Sequence, residues 1–435
     1  MRFGGQRNLC RPWARDSRRP DSYCGPMIDL TVAVFAVTYL GMALGRVPGL
    51  RLDRTGIALL AAVALLAGGR VSVADAGAAV DMPTLLLLFA LMIVSAQFQE
   101  AGLYRAAAAR VSASPGSSSR ILMVTIVVSG LLSAVLANDI VVFAMTPILA
   151  EGIRNRGLDP RPFLLGLAGG ANAGSAMTVI GNPQNILIGQ VGGLNFWAFL
   201  LACGVPALLS LIVVHRTVLW VWHRQLSAPP VPPPQTDTAP PDTWQLGKGI
   251  IAVGFLLTLF ATDLPREVGA LLVASLLLMS RRLASRDMIG AVDWHLLLLF
   301  ACLFVVTDAF SGTAAAARGI ELLAESGWLP DRLGSMVPMM LAASNTIGNV
   351  PATMLILSLW PIDDVGPLYG MALLSTLAGN FLLVGSLANI IVAERAAACG
   401  VRLSFTDFAR AGIPMTLASM VIATLWLLAG GWMGW

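Results

Sequence analysis

Residues 180–186 read Ile180-Gly181-Asn182-Pro183-Gln184-Asn185-Ile186, a cluster of breaker and amide residues inside a largely apolar run from Ala171 to Gly189. Proline removes an amide donor and breaks a helix. At membrane depth the freed backbone groups are tolerated only when buried in protein or facing a water-filled cavity. How this segment is read decides the fold, and the rest of the chain says that it lies within a membrane.

Of the 435 residues, 57% are hydrophobic and only 12% charged, and the mean hydropathy is +0.77. A soluble domain carries about 25% charged residues. Leu85–Ala96, Ile121–Ala137, Phe196–Val214 and Leu417–Leu428 are nearly free of charge and reach spanning length with their flanks, which requires about 20 apolar residues. The expected class is an all-α polytopic membrane protein whose solvent is the lipid bilayer. The net charge of +4 sits in loops between apolar segments, where it sets orientation and excludes a nucleic-acid partner. Cys10, Cys24, Cys203, Cys302 and Cys399 are scattered and odd in number, so they predict packing residues, with neither a disulfide framework nor a metal site.

The chain repeats itself. Asp81-Met-Pro-Thr-Leu-Leu-Leu-Leu-Phe-Ala90 resembles Asp293-Trp-His-Leu-Leu-Leu-Leu-Phe-Ala301; Ser133-Ala-Val-Leu-Ala-Asn138 echoes Ser344-Asn-Thr-Ile-Gly-Asn349; and the 181–185 break has a mate in Gly385-Ser-Leu-Ala-Asn389. The offsets are 211, 211 and 204. Residues 27–225 and 247–435 are therefore read as two membrane repeats, joined over 226–246 by a linker rich in proline (Pro229, Pro230, Pro232–Pro234, Pro240 and Pro241). Residues 1–26 carry six arginines and no apolar core, and are read as a disordered basic arm or as residues ahead of a true start at Met27.

The first repeat predicts spans near 28–47, 55–71 and 82–100, a hairpin over 120–153 broken at Asn138, an interrupted helix over 162–192 and a span over 196–222. The second predicts 247–262, 266–281, 293–311, 333–361, 367–398 and 411–432 in the same order. If both hairpins are re-entrant, each repeat crosses five times, giving about ten spans in two inverted halves. Assigned to alternating sides on this count, 18 of the 28 Lys and Arg fall on one face and 4 on the other, with the remaining six in the arm. The rich side is cytoplasmic by the positive-inside rule. That places the linker inside the cell, both ends of the membrane region outside, and the protein in the inner (plasma) membrane.

Corresponding interrupted segments in two halves are the usual pointer to a secondary transporter's binding site. Asn138 and Asp139 stand inside an apolar hairpin, where a carboxylate is costly. Asp139 has two compatible readings: it caps the half-helix that follows, or it binds a cation or proton. Ser344, Asn345, Thr346 and Asn349 form the second tip, and Gly385, Ser386 and Asn389 the second break. No Arg or Lys lies in these four motifs, so an anion is expected to be held by amides, hydroxyls and helix ends, with Na⁺ or H⁺ as the coupling ion and no other cofactor. His295, at a span's start, and Glu394-Arg395, at the exit of the second broken helix, are read as structural. With three histidines and no nucleophile beside a base, an enzyme is not expected.

At these motifs the chain resembles the ion transporter superfamily, which includes divalent-anion/sodium symporters, citrate transporters and arsenite permeases. Ser344-Asn345-Thr346 is similar to the symporters' hairpin tips, Gly181-Asn-Pro-Gln-Asn185 to their broken helix, and Asn138-Asp139 to the first tip of the arsenite permeases. The first tip departs by lacking Ser-Asn-Thr, and the second break by lacking a proline pair. The resemblance implies one cation site at Ser133, Asn138 and Gly181 and its mirror at Ser344, Asn349 and Gly385. It implies that Asn182, Asn185, Ser386 and Asn389 face a small-ion substrate, with Pro183 in the same binding region. It further implies a homodimer with elevator-like motion, and two candidate activities: cation-coupled anion transport, or arsenite export or Na⁺/H⁺ antiport through Asp139.

Overall fold

A computed structural model describes residues 29–44, 52–227, 231–232, 240–262, 264–360 and 364–435. The expected basic arm and most of the linker's prolines lie outside the described residues. The described residues form helices and no strand. The first half runs α1 (Leu30–Leu44), α2 (Arg54–Ala67), α3 (Val73–Ala79), α4 (Met82–Glu100), α5 (Leu103–Ser112), α6 (Ser118–Val135), α7 (Asn138–Arg154), α8 (Arg161–Ser175), α9 (Pro183–Val191) and α10 (Phe196–Val221). One turn, α11 (His223–Leu226), leads to the linker. The second half runs α12 (Thr243–Leu259), α13 (Arg266–Leu278), α14 (Ser285–Gly290), α15 (Trp294–Ser311), α16 (Ala314–Glu325), α17 (Leu333–Thr346), α18 (Asn349–Leu359), α19 (Val365–Ala378), α20 (Leu387–Ala398) and α21 (Phe405–Ala429).

The two halves match element for element, and they pack alike. Helix α2 lies on α15 as α13 lies on α4; α6–α8 answers to α17–α19, and α8–α10 to α19–α21. Across the halves, α7 packs on α20 and α18 on α9. Local capping repeats too. Asp81 accepts from the Thr84 amide at the head of α4, and Asp293 from the Leu296 amide at the head of α15, each at 3.0 Å. Helices α4, α6, α10, α15 and α21 are long and apolar enough to cross a membrane, and α1, α2, α12, α18 and α19 are shorter apolar helices. The outer surface is apolar, with Leu40, Ile251 and Leu425 exposed. In lipid this face needs no cover, since acyl chains are as apolar as leucine.

Without a hydrophobic drive between helices, packing rests on close approach of small residues. One such close approach joins α6 to α8: a Cβ on Gly174 would overlap the backbone of Gly130. Four short helices that the hydropathy pattern does not announce, α3, α5, α14 and α16, are too short or too mixed in polarity to register as spans. The breaks also begin earlier than predicted. They cover residues 176–182 and 379–386; Pro183 is not inside the break but at the first turn of α9, where its missing donor costs nothing.

Candidate functional site

Both breaks leave carbonyls and amides that need partners, and the chain supplies them with its own asparagines. The Asn172 amide, in α8, donates to Oδ1 of Asn380 at 2.8 Å and of Asn389 at 2.9 Å, and its own Oδ1 accepts from Ser386 Oγ at 3.0 Å. Asn389 in turn donates to the Gly379 and Leu382 carbonyls. The first break is held the same way from the other side. Asn185 donates to the Ser175 and Thr178 carbonyls and accepts from Thr376 Oγ1, which also receives a bond from Asn182 Nδ2. An offset of 204 residues relates Asn172 to Thr376, Asn182 to Ser386 and Asn185 to Asn389. Each half thus sends a polar residue from its α8-type helix into the other half's break.

Asn182, Asn185, Ser386 and Asn389, expected to face a substrate, have polar atoms engaged in this network, although Asn182 and Ser386 also line cavities. All four are buried, and their polar atoms bond the chain itself because the broken backbone has the prior claim on them. Asn345 does the same, donating to the Leu341 and Ala378 carbonyls and accepting from the Leu382 amide. Thr346 is exposed and bonds back to Ala342 and Ala343 in its own helix, away from the cavity. Gly181 and Gly385 have a steric role: a Cβ on Gly181 would overlap the Ser175 backbone, and one on Gly385 the Asn345 amide.

The hairpin tips do face a cavity. A space of about 400 Å³ is lined by Asn138 and Asp139 of the first tip, by Gly348 and Asn349 of the second, and by Pro183, Gln184, Gly385 and Ser386 of the breaks. A neighbouring space of about 300 Å³ shares Asp139, Pro183, Asp293, Leu296 and Ile391 with it and extends to Asn182 and Phe143. Together they have the size of a small-ligand site. Asp139 lies in the first turn of α7, whose N-cap is Ala137 with no side-chain bond; the capping reading fails, and the carboxylate is left to the cavity.

Ser133 Oγ, Asn138 Oδ1 and Asn349 Oδ1 are buried and find no hydrogen-bond partner among the described residues. Buried polar atoms without partners are uncommon and costly; among the described residues there are eight, and these three belong to the two expected cation sites, the others (on Thr84, Gln97, Trp222, Arg395 and Thr416) lying elsewhere. Ser344 Oγ, by contrast, makes a long bond of 3.4 Å to the Ser375 carbonyl.

Sequence reasoning missed four contributors to the cavity: Arg54, Asp293, His295 and Glu394. Arg54 stood at a span's edge with no motif around it, while Asp293 and His295 were marked only as part of a repeated helix head and Glu394 only as a helix exit. Asn172 and Asn380 were missed as well; their trace was a lone amide in a Gly/Ala-rich run.

A citrate transporter family profile matches residues 37–361. The chain is 25% identical to a 46 kDa membrane protein of Mycobacterium leprae, over 92% of this chain and 98% of that one. It is 27% identical to the silicon efflux transporter LSI3 of Oryza sativa subsp. japonica, over 91% and 97% respectively. The crystal structure of the Alcanivorax borkumensis YdaH transporter, described as having an unusual topology, shares the fold with a TM-score of 0.52 at 13% identity, covering 94% of this chain and 99% of that one. With broken helices, paired tips and a cavity between them, this multi-pass membrane transporter belongs to the citrate transporter family.

Proposed function

We propose that the protein is a secondary active transporter of a small carboxylate or oxyanion, coupled to Na⁺ or H⁺, working by alternating access with elevator-like motion of the hairpins and broken helices. The observation that carries the reading is a set of three partnerless oxygens: Asn138 Oδ1 and Asn349 Oδ1 at the tips that line the cavity, and Ser133 Oγ near the end of α6, just ahead of the first tip. Neutral oxygens at unwound backbone are the donors that transporters offer Na⁺. The reading extends to the inner membrane, with the linker cytoplasmic, the halves inverted and the assembly a homodimer; the arginine asymmetry of the loops supports the orientation, and the family resemblance the dimer.

The test is uptake of radiolabelled citrate, succinate or sulfate into proteoliposomes. Accumulation above the outside concentration under an inward Na⁺ or H⁺ gradient is expected. Equilibration without accumulation would mean a passive pore.

A second reading is favoured by Asp139 and Asp293 sharing both cavities and by similarity to a silicon efflux transporter: export of a weakly acidic oxyacid in exchange for H⁺. Silicic acid or arsenite trapped inside the vesicles and released by an inward H⁺ gradient would select it.

A further inference from the structure

We propose that Arg54 binds the negative charge of the transported anion and so sets the preference for anionic over neutral substrates; this rests on the anion-transport reading above. Arg54 opens α2, outside the hairpins and breaks. Among the described residues that line the 400 Å³ cavity it is the one Arg or Lys. Its guanidinium lies over the second hairpin tip: Nη1 is 3.3 Å and Cζ 3.9 Å from the point where a Cβ on Gly348 would stand. Gly348 has φ +97, a conformation suited to glycine, so no side chain intervenes between the guanidinium and the tip. The next residue, Asn349, holds one of the partnerless oxygens.

Arg54 is positioned but unspent. The neighbouring Asp53 carboxylate accepts from the Gly56 amide at 2.8 Å and caps the helix. Thr55, buried, donates to the His295 carbonyl and ties the head of α2 to that of α15. Among the described residues Arg54 itself makes no hydrogen bond or ion pair.

Its counterpart gives the contrast. Arg266, first residue of α13, donates to the Gly189 carbonyl at 3.0 Å and to the Leu194 carbonyl, and so closes the C-terminal end of α9. The repeat therefore supplies two equivalent arginines. One is consumed in structure; the other stands free in the cavity. A half-desolvated guanidinium without a partner is expensive, and its planar fork fits a carboxylate or sulfate in two parallel bonds. Because α2 packs on α1 and α15 while Gly348 joins α17 to α18, an anion held here touches both a flanking helix and a tip.

The experiment uses the purified full chain in detergent and reads melting temperature against citrate, succinate, sulfate and, separately, Na⁺. Arg54→Gln is expected to weaken the response to the best anion about tenfold or more, the loss of one charge-assisted contact, and to leave Na⁺ binding no weaker, since a positive charge is removed from beside Asn349. Arg54→Lys keeps the charge without the fork and is expected to fall between the two; it carries the test if Arg54→Gln does not fold. An anion response in either variant equal to that of the wild type overturns the assignment of Arg54 alone. Silence of all three anions on the wild type overturns the anion reading itself, and the assignment with it.

Discussion

The Asn172 side chain in the first half donates to Asn389 of the second half at 2.9 Å, while the position equivalent to Asn172, Thr376, donates to Asn185 of the first half at 3.3 Å. The two broken helices are therefore tied to each other by a crossed pair of bonds. A break deep in a membrane protein exposes backbone that water cannot reach, and each half meets that demand with a residue of the other. The same bonds make the breaks one unit, which suits a body that moves as a whole.

Asn172→Leu is expected to lower stability by about 2–4 kcal/mol, since it removes three hydrogen bonds and leaves Oδ1 of Asn380, Oδ1 of Asn389 and the Ser386 hydroxyl without that partner in the interior, where each unsatisfied group costs about 1–3 kcal/mol. Thr376→Val takes a partner from Asn182, Gln184 and Asn185 but should cost less, because its bonds to them are longer, 3.2–3.3 Å against 2.8–3.0 Å for those of Asn172. Melting temperatures in detergent, followed by the fluorescence of a thiol dye or by monodispersity after heating, check the order. Equal melting of wild type and Asn172→Leu would mean that the amide cluster holds nothing.

Gly174→Ala should be far more damaging than its one methyl suggests. The new Cβ would overlap the Gly130 backbone, so α6 must move off α8 and the first hairpin with it. Gly77→Ala is the control: nothing lies within 4 Å of its Cβ position, and the change gains about 1 kcal/mol of helix propensity. The yield of monodisperse protein on size-exclusion chromatography should fall sharply for the first and hold for the second.

Much of this was legible from sequence because a repeated element order leaves repeated marks. Asp81 and Asp293 announce equivalent helix heads, and Asn138 and Asn349 do open the two α7-type helices. What escaped has a common cause. The role of Asn185 depends on Thr376, 191 residues away, and spacing along the chain does not show whether a buried amide meets a ligand or a neighbour's hydroxyl. Arg54 looked like an ordinary loop arginine because a cavity is formed by residues remote in sequence. The short α5 and α16 fell between spans because their length and mixed polarity match no spanning pattern.

The partnerless oxygens make an unusual prediction about energy. Removing a hydrogen-bonded buried hydroxyl destabilises a protein, but Ser133 Oγ has no partner to lose. In cation-free buffer Ser133→Ala should therefore melt within about 0.5 kcal/mol of wild type, or above it. In saturating Na⁺ the wild type should gain stability by mass action, and the variant should need about tenfold more Na⁺ for the same gain, a difference of about 1.4 kcal/mol in binding. Asn138→Ala should behave alike at the same tip. A loss of stability that is the same with and without Na⁺ would remove the cation from this site.

Asp139 separates the two transport readings. It lines both cavities from the first turn of α7 and caps nothing, so its carboxylate is free to carry a proton or to stand near a cation. If the protein exchanges a substrate for H⁺, Asp139→Asn removes the group that is protonated on one side and deprotonated on the other. Exchange should then fall to background, while substrate binding by the folded variant persists. If the protein is a Na⁺-coupled anion symporter, the neutral amide keeps the shape of the tip and removes one negative charge from the anion's surroundings. Uptake driven by Na⁺ should then survive, and anion affinity should hold or improve. Measuring Na⁺-driven and H⁺-driven flux in the same proteoliposomes, for wild type and Asp139→Asn, distinguishes the two: loss confined to the H⁺-driven flux assigns proton coupling to this carboxylate, and loss of neither assigns the coupling elsewhere in the cavity.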